Sequence, residues 1–133
     1  MKPKPFNVKR AKKQLDTLWS RAIRDRDGYC QKCGALGVGQ AAHIFSRRNL
    51  TTRWDKENGV TLCYACHIHW AHRRPVEFAL WVMEKLGREK FKALEKRTRE
   101  PYDSSNFKTD FEKIKKTLTN KTMGSKYGLR RTI

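Results

Sequence analysis

Apolar residues at Val8, Ala11, Leu15, Leu18, Trp19, Ala22 and Ile23 recur mostly at steps of three and four, with lysine and arginine between them. That spacing predicts an amphipathic helix over 8–24, preceded by an extended segment with two prolines. Asp27-Gly28 closes it. Three glycines in 34–40 predict a loop, and the short apolar run 41–45, built around one histidine, reads as a strand. A polar loop over 46–57 carries Arg47, Arg48 and Arg53, and 60–62 is a second short strand leading into Cys63. After Cys66 the chain reads as helical to His72. Arg74-Pro75 opens a new helix, with proline in its first turn, whose broad apolar face over 76–86 is expected to pack into the core. Gly87 breaks it, and a second short helix holds Phe91 and Leu94. Pro101 then separates a tail in which Phe107, Phe111, Ile114 and Leu118 form one stripe. Three surfaces could cover that stripe: its own domain, a second copy in a homodimer, or another protein. The expected organisation is a domain over 1–100 and a basic helical tail over 101–133.

Composition sharpens this picture. The chain has 133 residues, 31 Lys and Arg against 13 Asp and Glu, and a formal net charge of +18. Charged residues make up 33%, against roughly 25% in an average soluble domain. Size excludes large α/β and dinucleotide-binding enzymes, and the thin apolar content calls for a support besides burial. So large a positive surplus repels itself unless it faces a polyanion, which makes nucleic acid the leading partner and an acidic membrane surface the rival. The longest apolar run, 78–83, is far short of the ~20 residues of a membrane span. Nothing at the N-terminus reads as a secretory signal, so the expected location is cytoplasmic, where four cysteines hold a metal more readily than they form disulfides.

Cys30-Gln-Lys-Cys33 and Cys63-Tyr-Ala-Cys66 are the strongest signal in the chain. Two residues between cysteines let one tight turn present both sulfurs to a single ion, and two such turns complete a tetrahedral Zn²⁺ site. Four thiolates leave no open position, so this zinc is expected to be structural, supplying stability that the thin core lacks. The 29 residues between the knuckles exceed the ~15–20 of a simple ribbon and imply an insertion.

All four histidines, His43, His67, His69 and His72, fall between positions 43 and 72. Ala-His43-Ile, Glu-Asn58-Gly-Val-Thr-Leu-Cys and Tyr-Ala-Cys-His67, with His67 nine positions after Asn58, resemble the HNH endonuclease motif in its four-cysteine zinc form. The likeness covers 29–72. The run from Leu18 to Cys33, with Ser46-Arg47, is also similar to phage recombination nucleases of the NinG/Rap type. The resemblance implies an α+β fold: a small zinc-stabilised ββα-metal core with flanking N- and C-terminal helices. It implies a metal-dependent DNA endonuclease of phage or prophage DNA recombination or processing, acting in a bacterial host. In that reading His43 is the general base that takes a proton from water, Asn58 clips the loop that orients His43, and His67 ligates one divalent ion, Mg²⁺ or Mn²⁺. Many members carry Asp or His just before the base as a second metal ligand; Ala42 stands there in this chain. Either His67 holds the ion with waters alone or another side chain contributes, His69 and His72 being the candidates on the helix.

Arg47, Arg48 and Arg53, on the loop this fold would set beside the scissile phosphate, are candidate phosphate contacts, since guanidinium binds phosphate bidentately. Lys113, Lys115 and Lys116 and the basic residues after them are candidates for tracking the DNA backbone. The alternative function is a non-catalytic zinc-ribbon module that binds nucleic acid. Such a protein needs the cysteines and the charge but has no chemical use for His43.

Overall fold

The computed structural model describes residues 2–120. Lys121, Lys126, Arg130 and Arg131 of the expected basic end lie outside the described residues. The fold is mixed α+β, with a two-stranded antiparallel sheet among helices.

Helix α1 (Val8–Asp27) starts at Asn7, whose side chain accepts the Arg10 N–H at 2.9 Å, and buries Ala11, Leu15, Trp19 and Ile23 on one face. It runs three residues past the end predicted from apolar spacing because its last turn is anchored by polar groups. Asp27 is fully buried; its carboxylate accepts the Thr61 N–H at 2.8 Å and pairs with Arg26 at 2.7 Å. Arg26 in turn donates to the carbonyls of Lys56 and Gly59 at 2.7 and 2.8 Å. Gly28, at φ +78°, ends the helix with its N–H on the Arg24 carbonyl.

Strands β1 (Gln40–His43) and β2 (Gly59–Leu62) pair antiparallel, with Ala42 opposite Val60 and His43 opposite Gly59. The first strand is shorter than the apolar run 41–45 because the Asn58 side chain, rather than strand backbone, takes the Phe45 N–H. Two strands alone are marginal in water, so helices cover both faces. The α1 side approaches so closely that a Cβ on Gly59 would collide with Trp19 and crowd Ile23. On the other side Ala42, Val60 and Leu62 share a core with Phe78, Val82 and Leu86 of α3 (Pro75–Leu86) and Phe91 and Leu94 of α4 (Arg88–Arg99). Helix α2 is the single turn Leu50–Arg53; with the 3-10 turn Lys56–Asn58 it occupies the segment expected to be an irregular loop. A four-residue helix is too short for periodicity to reveal. Thr52, fully buried, fixes it to α4 through a 3.0 Å hydroxyl contact with Thr98.

Helix α5 (Phe107–Thr119) lies on α1. Phe107, Phe111 and Leu118 join Ala11, Leu15, Trp19 and Trp54 in a second core cluster. The apolar stripe of the C-terminal helix is therefore covered by the chain's own first helix, and the core continues across the expected boundary at residue 100. Among the described residues no helix is long and apolar enough to cross a membrane.

Candidate functional site

The Sγ atoms of Cys30, Cys33, Cys63 and Cys66 all lie within 4.8 Å of one another, with Cys33 and Cys63 at 3.7 Å. That separation is far too long for a disulfide. With Zn–S bonds of ~2.3 Å, the edge of a tetrahedral site is about 3.8 Å, so the four sulfurs lie close enough together to hold a zinc ion. Each knuckle is a turn. In the first, the Gly34 N–H bonds the Cys30 carbonyl at 2.9 Å, with Gly34 at φ +79°. In the second, Cys63 Sγ accepts the Cys66 N–H at 3.5 Å. Burial alone would raise the Cys30 thiol, but backbone N–H groups around it bring it down to about 7, favouring the thiolate a metal needs. Burial and the neighbouring sulfurs push Cys66 up; a cation among the four would reverse that. The insertion between the knuckles is the β1–α2–β2 segment, so the cysteine cluster lies at the base of the hairpin that carries His43.

His43, at the end of β1, faces α1. Its ring lies parallel to that of Trp19, centroids 3.9 Å apart, and its Nε2 is 2.8 Å from the Arg53 carbonyl. A carbonyl only accepts, so Nε2 carries the proton and the neutral ring keeps a lone pair on Nδ1. Burial lowers the His43 pKa below 6.5, only partly opposed by the Arg53 carbonyl, with Arg47 pushing the same way as burial. The ring is thus largely neutral at pH 7.

Asn58 is fully buried and satisfied on both ends of its amide. Its Oδ1 accepts the Phe45 N–H at 2.7 Å, and its Nδ2 donates to the carbonyls of Phe45 at 3.1 Å and Thr52 at 3.0 Å. One side chain ties together the two ends of the segment that leads from His43 to Arg53.

His67 sits on the turn Ala65–Ala71, which is π-helical rather than α-helical. The His72 N–H bonds the His67 carbonyl, five residues back, at 3.1 Å. In an α-helix residues five apart diverge by about 140°. The wider turn instead brings the His67 and His72 rings edge to face at 4.6 Å. His67 Nδ1 is 2.8 Å from Gln40 Oε1 on β1; the amide oxygen accepts, so Nε2 of the neutral ring is left free. Burial, with the neighbouring His72 and His43, lowers the His67 pKa. His69 is exposed, edge-on to Tyr64 at 5.4 Å, and outside this group.

His43, His67 and His72 line one open cleft of about 480 Å³, together with Asp16, Trp19 and Ser20 of α1 and Arg47. A second hollow of about 330 Å³ shares the three histidines and extends to the start of α3. The periodicity of 8–24 gave no reason to place α1 at the site, because its cleft residues Asp16 and Ser20 interrupt an otherwise basic polar face. Ala42 is 2% exposed and packs into the α3–α4 core.

The basic candidates separate. Arg53 is committed to Asp16, with Nε and Nη2 at 3.0 and 2.7 Å, and Asp16 also takes the Trp54 Nε1–H at 2.8 Å. Those partners hold the Asp16 carboxyl below its ordinary range despite its burial. Arg47 reaches the same carboxylate at 2.9 Å but stays 59% exposed, and Arg48 is exposed. Lys113 and Lys116 are exposed on α5, while Lys115 lies 5.8 Å from the Phe111 ring; none of the three lines the cleft.

No known protein family, curated protein or solved structure matches the chain.

Proposed function

We propose that this chain is a metal-dependent DNA endonuclease of HNH type, with His43 as general base and a structural zinc on Cys30, Cys33, Cys63 and Cys66. The observation that carries the reading is the convergence of His43, His67 and His72, from a hairpin and a π-helical turn, on one cleft of a chain with net charge +18. A nucleic-acid binder needs charge and a zinc staple; it has no use for three imidazoles gathered in a cleft.

The roles follow from the hydrogen bonds. With Nε2–H held by the Arg53 carbonyl, His43 Nδ1 accepts a proton from water as that water attacks phosphorus. The Trp19 stack and the Asn58 clip hold ring and loop in that pose, so orientation is set before substrate arrives. Gln40 fixes the tautomer of His67, as partners of metal-bound histidines commonly do. His67 Nε2 and His72 are the side chains that would hold a divalent ion, Mg²⁺ or Mn²⁺. When bound, such an ion supplies charge to the phosphate and leaving oxygens. His72 thus takes the place of the second ligand that Ala42 does not provide. By resemblance to the family the products carry 5′-phosphate and 3′-hydroxyl ends, and the setting is phage or prophage DNA processing.

The test is cleavage of plasmid DNA with Mg²⁺ by wild type and His43→Ala. Loss of cleavage with retained zinc and DNA affinity supports the nuclease. Equal rates, with contaminating nuclease excluded, would leave the zinc-ribbon binder as the better reading.

A further inference from the structure

The loop between the first knuckle and β1, residues 34–39, has an unusual surface. Leu36 and Val38 are 86% and 89% exposed, more than any other large apolar side chain among the described residues. Glycines alternate with them at 34, 37 and 39, two of these at positive φ. The loop is nevertheless anchored at both ends. The Cys30 N–H bonds the Ala35 carbonyl at 3.1 Å, beside the thiolate cluster. At the far end Gly39 enters β1, where Gln40 holds His67. No Asp or Glu stands between Asp27 and Asp55, or between Glu57 and Glu77. Loop 34–39, both strands and the π-helical turn therefore carry no carboxylate of their own; Asp55 and Glu57, in the connection between the strands, are paired with Arg97, and Asp16 in the cleft with Arg53 and Arg47.

We infer that loop 34–39 is an apolar wedge for the base stack of DNA: Leu36 and Val38 enter the stack while the cleft beside His67 takes a phosphate of the same strand. The wedge rests on the proposed action on DNA and adds to it the part of the nucleic acid that is touched. Aliphatic side chains inserted between base steps are a general way for proteins to grip and kink a duplex. Two aliphatic groups return little more than an intact step costs to open, so the wedge favours a step that is already unstacked. The apolar pair lies at the tip of a carboxylate-free segment, so phosphates on either side of an opened step meet a surface that attracts them.

The experiment uses the full zinc-loaded chain on two duplexes of equal length, one intact and one with a central abasic site flanked by 2-aminopurine, with Ca²⁺ to prevent cleavage. Wild type should bind the abasic duplex more tightly and change the 2-aminopurine emission. Leu36→Ser/Val38→Ser should lose the preference by roughly tenfold and leave the emission unchanged, with zinc content and affinity for intact duplex retained. Leu36→Met/Val38→Ile should behave as wild type. Equal binding of both duplexes by wild type, or an unaltered preference in the serine variant, overturns the wedge while the nuclease reading stands. A wild type that binds neither duplex overturns both. If the serine substitutions instead dissolve a dimer in sedimentation, the loop is a self-association surface and the wedge is wrong.

Discussion

The His43 ring lies on the Trp19 indole at 3.9 Å, with planes 8° from parallel, and Trp19 is itself pinned by its Nε1–H to the Asp55 carbonyl at 2.9 Å. The first helix thereby supplies a flat, rigid wall for the proposed base, and one face of the imidazole is shut off from water. A proton taken from water must reach Nδ1 at the ring edge, since Nε2 is occupied and one face is covered.

That burial has a pH signature. Because desolvation lowers the His43 pKa, the active neutral form persists to lower pH than for a free histidine. The acid limb of kcat/KM should therefore lie below pH 6.5 and rise with pH. Trp19→Leu exposes the ring face, so the limb should move up toward 6.5, whereas Trp19→Phe should hold it near the wild-type position. NMR titration of the His43 Cε1 proton reads the same shift without turnover. A limb above 6.5 in wild type would contradict the burial argument.

The π-helical turn predicts a contrast between His72 and His69. His72→Ala should weaken Mn²⁺ binding and raise the metal concentration needed for cleavage, with partial recovery at high metal. His69→Ala should change neither, since His69 points to Tyr64 outside the cleft. Calorimetric titration of Mn²⁺ into the two variants and wild type checks this. Equal affinities for wild type and His72→Ala would remove His72 from the ion.

The sulfur cluster predicts one tightly held zinc per chain. Binding to such sites is worth about 10–16 kcal/mol in small domains, more than the total stability of most domains of this size. Cys63→Ser should therefore unfold the hairpin region rather than only slow the chemistry, and a strong chelator should do the same to wild type. Elemental analysis of folded protein with no zinc would refute the assignment.

How far the sequence reached depends on the kind of force involved. Helices α1, α3, α4 and α5 were legible because apolar faces carry their period, and both strands because each is a short apolar run, the first around His43 and the second leading into Cys63. The last turn of α1 was not legible, because it rests on Asp27 reaching Thr61 and Arg26 reaching Gly59, contacts more than 30 residues apart in sequence. The pairing of His67 with His72 was hidden because spacing rules assume α geometry. The part of Asp16 in holding Arg53 was hidden because an isolated acid on a basic helix face reads as ordinary solubility. By sequence Arg53 is a phosphate contact like its neighbours; in the fold its guanidinium is already occupied by a carboxylate.

Asn58 gives a test of the clip. Asn58→Ala removes partners from the Phe45 N–H and from the carbonyls of Phe45 and Thr52, each worth about 1–3 kcal/mol when buried and unpaired. The melting temperature should fall by about ten degrees or more, and activity should drop less than in His43→Ala, since orientation is disturbed while the base remains. If Asn58→Ala melts like wild type, the amide does not hold the loop.

The arginines and lysines should part company in a salt titration. Each phosphate that a variant no longer neutralises should reduce the slope of log K against log salt by about 0.9 on duplex DNA. Arg48 is exposed and Arg47 is more than half exposed, so each alanine variant should flatten the slope and leave the melting temperature nearly unchanged. Arg53 is 13% exposed on the side chain and bidentate to Asp16. Arg53→Ala strips Asp16 of its main partner beside Trp54, so it should lower stability by about 1–3 kcal/mol and change the salt slope little. Arg53→Lys should restore stability only in part, because an ammonium cannot reproduce the two-pronged contact. Lys113→Ala/Lys116→Ala on α5 tests whether DNA reaches beyond the cleft. A slope reduced by nearly twice the single-phosphate amount would extend the footprint across α5, and an unchanged slope would confine it to the face that carries the histidines.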